Sequence, residues 1–483
     1  MVQKDALHKI DDYVYEIPVS YRPDMRVPAR LYADNEILED ALGDKSIEQL
    51  INTTTLPGVV RYTLAMPDIH EGYGPPIGGV IATQHPHGII SPGATGYDIN
   101  CGVRLLVSDA SVEEVRPHLE TLVNALFRDI PSGLGKGGAI HLSESEMDKV
   151  MQDGAAFAVR KGFGSKEDLE HTEERGAMAG ANPDAVSRKA RERGGPQLGT
   201  LGSGNHFIEV SMVEEVYDAA VADAFGIFPG QVALWVHSGS RGLGHQVCSD
   251  YVSSFQRAVA RYEIKLPDRE LVCAPFDSPE GQAYFGAMAA AANYAWANRQ
   301  CMAELARRTF EKVLAGKVAR PHLRQVYDVA HNIVKIEEHE VDGKPMTLIV
   351  HRKGATRSLG PGRLAVPRDY REVGQPVLIP GDMGTGSYLL VGTEKAMRES
   401  FGSTAHGAGR VMSRSRAKRA VRGETLVEEL RRRGIIVRAS SMSGLAEEAP
   451  EAYKDVDRVV NVVDRAGLAR RVARFKPLGV IKG

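Results

Sequence analysis

Apolar, strand-like runs in this chain end repeatedly at a histidine or cysteine that lies beside glycine. Val232-Ala233-Leu234-Trp235-Val236 breaks at His237-Ser238-Gly239, and Tyr327-Asp328-Val329-Ala330 breaks at His331-Asn332. The glycine-rich Leu198-Gly199-Thr200-Leu201-Gly202-Ser203-Gly204 delivers Asn205 and His206 to the start of another run. Gly96-Tyr97-Asp98-Ile99-Asn100-Cys101-Gly102 leads directly into Val103–Val107. Glycine permits the tight backbone that lets side chains at the ends of elements share one space. Such a chain is constrained to an α/β arrangement in which several strand ends converge.

Asp98 and Cys101 place a hard oxygen and a soft sulfur three residues apart in a glycine-flanked loop. A metal would draw such a thiol from its ordinary pKa of about 8.5 to the thiolate. Read singly, a lone histidine is usually a satisfied core or surface residue, and Cys101 a small buried hydrophobe. Read together, Asp98, Cys101, His206, His237 and His331 form a mixed O, N and S donor set. Five donors with one thiolate exceed a closed tetrahedral zinc site and suit two metals sharing the sulfur.

Composition removes several classes. The chain has 483 residues, a net charge of −2 and 43% hydrophobic content, which is ordinary for a globular protein with ample core. Global charge does not attract polyanions, so contact with nucleic acid must be local. The four cysteines (Cys101, Cys248, Cys273, Cys301) are scattered, so a reducing, cytoplasmic setting is expected rather than a disulfide framework. No apolar run approaches the roughly 18–20 residues of a membrane span.

Along the chain, Tyr13–Ile17 reads as a strand and Ile37–Ile51 as a helix. Asp68 and His70, in Met66–Gly74, are candidates for orienting metal ligands from behind. Ser111-Val112-Glu113-Glu114 has capping-box spacing, and Leu119, Leu122, Val123 and Leu126 share one helical face. Residues 131–138 read as a flexible loop. The polar stretch 160–198 reads as mostly helical, with Arg188, Lys189, Arg191 and Arg193 on a solvated face. In Asn205–Val210, alternation sets His206 and Ile208 on one face and Phe207 and Glu209 on the other. Residues 245–316, with the alanine-rich run 287–297, read as a structural helical block. Pro380–Ser387 is a turn whose amides suit an anion-binding nest. Ser403-Thr404-Ala405-His406-Gly407-Ala408-Gly409-Arg410 leaves a histidine among small residues, open to a large substrate, followed by Arg414, Arg416, Lys418 and Arg419. An imidazole so placed suits nucleophilic attack on phosphorus. The expected architecture is one large mixed α/β domain over 1–483, its strand ends converging on a dinuclear metal site, with a helical insertion at roughly 245–330.

Several long motifs occur in order: PDIHEGYG, GYDINCG, LGSGNHFIEV, VHSGSRGLGHQV, VAHNI, HRKGATR, STAHGAGR and the terminal Lys482-Gly483. On these the whole chain resembles the RtcB-type RNA-splicing ligases. The resemblance implies an enzyme that uses GTP and two manganese ions to join RNA 3′-phosphate or 2′,3′-cyclic phosphate ends to 5′-hydroxyl ends, with an archease-like protein as a possible activator. It implies that Asp98, Cys101, His206, His237 and His331 are the metal ligands, with Cys101 bridging, and that His406 is guanylylated. Asn205, Glu209, Ser387, Gly407, Tyr453 and Lys482 correspond to nucleotide-site positions, Glu209 and Lys482 at the guanine. Asn332, Lys353, Arg410 and Arg414 correspond to RNA-phosphate contacts. Ala405 stands where many relatives carry cysteine, and Ile69 and Pro75 also depart from the commonest wording. Two other readings use part of the same set: a metal-dependent cyclic phosphodiesterase, which has no use for His406, and a non-catalytic RNA-binding protein with structural zinc.

Overall fold

Nearly all the strand-like runs pair into two large sheets, and the polar punctuation between them becomes short helices and loops. The structure, a computed structural model, describes residues 2–483 apart from Leu134, Lys136 and Ala139. Two residues of the loop expected at 131–138, Leu134 and Lys136, therefore lie outside the described residues.

The first sheet has seven strands, in the order His8–Asp11, Val14–Ile17, Ala29–Tyr32, Thr63–His70, Ile77–Gln84, Lys344–Lys353 and Asn332–Val341. The second has eight. Its main path runs Leu323–Ala330, Gly102–Ser111, Gln231–Ser238, Phe207–Val216, Ala469–Lys482, Ser387–Gly392 and Pro376–Ile379, and Ile436–Ala439 pairs with Ala469–Lys482. Pairing is antiparallel except for Ala29–Tyr32 with Thr63–His70 and Ile436–Ala439 with Ala469–Lys482. Both faces of the second sheet are apolar. Val103, Leu105 and Val107 enter one core, while Leu106 enters another beside Leu119, Leu122, Val123 and Leu126. Those four are the helical face expected from sequence, on the helix Leu119–Asp129. The capping box at Ser111 and Glu114 is formed in both directions.

The expected helix at 37–51 is two helices, Asn35–Leu42 and Ser46–Thr53. Gly43-Asp44 interrupts them, and the Asp44 carboxylate accepts from the Ser46 amide at 2.7 Å, which restarts the helix. The stretch expected to be helical at 245–330 contains Arg241–Arg261 and Pro279–Leu314. Leu323–Ala330 is instead a nearly fully buried strand of the second sheet paired to Gly102–Ser111, in keeping with the strand end read at Tyr327–Ala330. Pro279–Leu314 is 36 residues long and begins with Pro279 after the cap Ser278. It is buried over most of its length, including Asn293, Asn298, Arg299 and Gln300.

These polar side chains hold the sheet edge. The Arg299 guanidinium donates to Asp328 (2.7 and 2.9 Å), to the Asn100 and Ser238 carbonyls (2.8 and 2.9 Å) and to the Asn100 side chain (3.0 Å). Arg104, also fully buried, donates to Asp328 at 2.8 Å. Burial opposes ionisation of Asp328, but the two guanidiniums hold its pKa below the ordinary carboxylate value. Asp328→Asn leaves two buried cations short of their counter-charge and should destabilise the fold by about 3–5 kcal/mol at neutral pH, read from denaturant unfolding. Because the folded-state pKa is depressed, the wild-type contribution is present above the unfolded value and lost only as pH falls through the folded one, so the gap between variant and wild type should close in acid.

Candidate active site

Antiparallel register brings the candidate ligands to one edge of the second sheet. Gly102 faces both Ser238 and Ala330, His237 faces both Val103 and Phe207, and Lys482 faces Phe207. Cys101, His206 and His331 each lie one residue beyond a strand end, and His237 is the penultimate residue of its strand. This convergence of strand ends is the arrangement expected from the sequence. The His206 parity differs. Phe207 and Glu209 do face the cavity and Ile208 the opposite core, but His206 precedes the first strand residue, so strand alternation does not govern it and it turns into the same cavity.

Asp98, Cys101 and His206 bring one donor atom each within 4.8 Å of one another. His206 Nε2 lies 2.8 Å from Asp98 Oδ2 and 3.4 Å from Cys101 Sγ. His237 Nε2 approaches the same sulfur to 3.3 Å. His206, His237, His331 and His406 then follow edge to face, with ring centroids 5.5, 5.6 and 5.3 Å apart. Nε2 of His331 and Nδ1 of His237 are buried and without a hydrogen-bond partner. Nδ1 of His331 meets the Thr356 hydroxyl at 2.8 Å, which fixes its ring. Burial lowers the pKa of the three candidate histidines, well below the usual value for His237 and His331, so both are neutral at pH 7. Burial, reinforced by the Asp98 charge, pushes the Cys101 thiol well up. Burial opposes the charge on Asp98, and its hydrogen bond to His206 nevertheless holds its carboxyl far below the usual range. A buried carboxylate, neutral imidazoles with orphaned nitrogens and a thiol in need of a cation fit a divalent metal centre.

His406 enters from a separate two-stranded ribbon. It follows the short strand Ser403–Ala405, which pairs with Ala355–Arg357. Asp68, on Thr63–His70 of the first sheet, accepts from His406 Nδ1 at 2.5 Å and from the amides of His406 and Gly407 at 3.0 and 3.2 Å. Burial works against the Asp68 charge, and the contacts with His406 outweigh it, lowering its pKa. Asp68 thus orients His406 rather than a metal ligand, contrary to the sequence expectation, and His70 donates from Nδ1 to the Asp68 carbonyl (2.8 Å) without reaching a candidate ligand. His406 Nε2 is left for the cavity.

That cavity encloses about 1100 Å³ and is lined by the whole donor set, by His406 and by Asn205, Glu209, Gly407, Tyr453 and Lys482. Burial, with the nearby Asp382 charge, raises the Glu209 pKa well above normal, and one of its oxygens has no partner. Burial lowers Lys482 to about 8. Ser387 is not part of the lining; its hydroxyl accepts from the Gly381 amide at 3.1 Å and braces the turn beside the cavity. That turn is no anion nest, because Asp382 takes the Gly384 and Thr385 amides itself (2.7 and 3.1 Å). Asn332 spans the Asp98 carbonyl and the Gly354 amide at 3.0 and 2.8 Å. Lys353 donates to the Tyr73 and Pro75 carbonyls, and burial lowers its pKa to about 7. Arg410 lies over the Tyr453 ring and pairs with Glu448 at 3.0 Å. Of these four cavity-lining residues Arg414 is the most open, with a single 3.3 Å contact to Glu448.

Sequence reading missed Glu448, a buried carboxylate shared by Arg410, Arg414 and Tyr453. It also missed Arg241, whose guanidinium lies 2.8 Å from His206 Nδ1. Asn298-Arg299-Gln300 at the end of the alanine run was the visible signal for the sheet-edge clamp, since charge in an apolar helix needs a buried partner.

The chain matches the family model described as tRNA-splicing ligase RtcB over residues 49–483. It is 56% identical over 483 residues to the tRNA-splicing ligase RtcB of Archaeoglobus fulgidus, covering all of both chains. It is 55% identical over 477 residues to that of Thermococcus kodakarensis, covering 99% of each. It is also 52% identical over 477 residues to that of Aeropyrum pernix, covering 98% of this chain and 99% of the other.

The protonation pattern gives a metal-binding prediction. At pH 7 the candidate imidazoles are already neutral and the thiol is protonated, so metal binding should release about one proton per chain. Titration with Co²⁺ should raise a thiolate-to-cobalt absorption band in the near ultraviolet with that release. Cys101→Ala should show neither.

Proposed function

Because the chain belongs to the RtcB family of tRNA-splicing ligases and is an RNA ligase, we propose that it joins RNA ends through a guanylylated His406. The observation that carries this reading is the Asp68–His406 hydrogen bond. It holds the Nδ1 proton and directs the Nε2 lone pair into a cavity that also contains the metal-donor set.

His406 Nε2 attacks the α-phosphorus of GTP, forming an N–P bond as the α–β bridging P–O bond breaks and pyrophosphate leaves. Asp68 stabilises the ring as it becomes cationic. An oxygen of the RNA 3′-phosphate then attacks the same phosphorus, freeing His406 and giving an RNA-ppG end. The 5′-hydroxyl of the second RNA attacks the terminal RNA phosphorus, and GMP departs. An end supplied as a 2′,3′-cyclic phosphate is first hydrolysed to the 3′-phosphate.

Asp98, Cys101, His206, His237 and His331 would hold two divalent cations, with Cys101 shared. Manganese suits this mixture of donors. When bound, the cations neutralise charge on the transferring phosphoryl group and its leaving oxygen. Glu209 and Lys482, on adjacent strands at Glu209–Val480 and Phe207–Lys482 register, offer an acceptor and a donor to the guanine edge. Tyr453 and Asn205 line the remainder of the nucleotide site, and Ser387 and Gly407 support its loops. Arg414 is the residue best exposed to meet an RNA phosphate. Asn332, Lys353 and Arg410 act on RNA through the backbone and side chains they brace. No described helix is long and apolar enough to cross a membrane, and the reading places the reaction in the cytoplasm.

Two outcomes test this. His406→Ala should bind metal as wild type does but form no protein–GMP adduct and join no 3′-phosphate RNA. It should still seal RNA supplied already as RNA-ppG, because that displacement does not use the histidine as nucleophile. Retained labelling by GTP would remove His406 from the role. Replacing GTP with ATP should reduce labelling by several orders of magnitude, since Glu209 and Lys482 would be left unpaired against adenine. Equal labelling would remove these two residues as the base-selecting pair.

A further inference from the structure

Tyr73, Tyr97 and His245 form a row of rings on the cavity wall. Tyr73 and Tyr97 meet edge to face at 5.6 Å between centroids, and Tyr97 and His245 lie 6.1 Å apart at 33°. The tyrosines are partly exposed and His245 is exposed. Neither tyrosine packs into any of the five apolar clusters found among the described residues, whereas Tyr453 in the same cavity does. Large rings that face a cavity without contributing to a core need another explanation.

Their backbones are held from several sides. Gly74 follows Tyr73 at φ +69, its amide on the Glu270 carboxylate at 2.8 Å, and a Cβ there would meet the Glu270 carbonyl. Lys353 is bound to the Tyr73 and Pro75 carbonyls. Gly96 precedes Tyr97 at φ +94 with Asn332 against it. The rings are therefore presented by fixed loops, which lowers the cost of ordering them around a ligand. Tyr97 adjoins Asp98 and Tyr73 lies in the loop before Ile77–Gln84, while the guanine-edge candidates Glu209 and Lys482 come from two strands of the second sheet. Arg193 and Arg241 line the same cavity and supply positive charge suited to a polyanion.

We propose that Tyr73 and Tyr97 form a stacking platform for a nucleobase of the RNA being joined, distinct from the guanine pocket. This rests on the ligase reading above. The platform receives a base at or next to one of the two ends, through ring stacking that tolerates sequence.

The test uses the full chain with Mn²⁺ and two RNA arms, one carrying 2-aminopurine at the 3′-phosphate terminus and the other at the 5′-hydroxyl terminus. Wild type should quench the fluorophore in at least one arm. In that arm Tyr73→Leu should relieve the quenching and weaken RNA binding about 5- to 150-fold, while Tyr73→Phe retains both. The same RNA lacking its terminal base provides the discriminating readout. Wild type should lose affinity on the abasic strand by about the factor that Tyr73→Leu loses on the intact one, and Tyr73→Leu should lose little more. If Tyr73→Leu weakens intact and abasic RNA equally, the ring only supports the loop and the platform is overturned. Unchanged quenching and affinity in Tyr73→Leu would overturn it as well. Wild-type enzyme that joins no RNA would fail the ligase reading itself, and that result is seen before any variant is made.

Discussion

Arg299 is the side chain on which the geometry of the centre depends. From the interior of a 36-residue helix it reaches Asn100, Ser238 and Asp328 at once. These residues adjoin Cys101, His237 and the strand leading to His331. A single planar cation with five donors thereby ties together the three strand ends that carry the sulfur and two of the imidazoles. Desolvating it is costly, and Asp328, equally buried, together with two carbonyls and an amide oxygen, satisfies it. The sheet register alone would align these ends to within a residue. The guanidinium clamp adds the precision that a constellation of donors around one sulfur requires.

The centre lies between two sheets with different tasks. The second sheet supplies the donor set and, through Glu209 and Lys482, the edge that would read a base. The first supplies Asp68, which fixes the tautomer and orientation of His406. Asn332, on the first sheet, joins it to the Asp98 loop that leads into the second, while Lys353 braces the Tyr73–Pro75 loop within the first sheet. The four-histidine row runs from the donor set at His206 to His406, which Asp68 of the first sheet holds. On the proposed reading, movement of one sheet against the other would change the distance between His406 and the candidate donors, so packing between sheets would bear on the chemistry.

Much of this was readable in the sequence because its signals are local. Glycine beside histidine at the end of an apolar run marks a strand end, which made His206, His237 and His406 visible; Asp98 and Cys101 stood out by their spacing in a glycine-flanked loop, and Glu209 only through the family resemblance. The capping box at Ser111 and the apolar face from Leu119 to Leu126 were legible for the same reason. What was not legible depends on partners far along the chain. Asp68 is 338 residues from His406, so no spacing links them. The Pro380–Ser387 turn resembled an anion nest, but Asp382 within it consumes its own amides. Tyr327–Ala330 reads locally as a strand end, yet the helical insertion drawn to about 330 took it in, because its pairing with Gly102–Ser111 spans more than two hundred residues. His206 defied alternation because it stands one residue outside the strand that the pattern describes.

The account turns on which nitrogen of His406 is the nucleophile. The direct measurement is to trap the protein–GMP adduct on chain labelled with ¹⁵N-histidine and to read the nitrogen–phosphorus coupling by NMR. With Nδ1 committed to Asp68, phosphorus should be bonded to Nε2 of His406. An adduct on Nδ1, or on any other residue, would contradict the account.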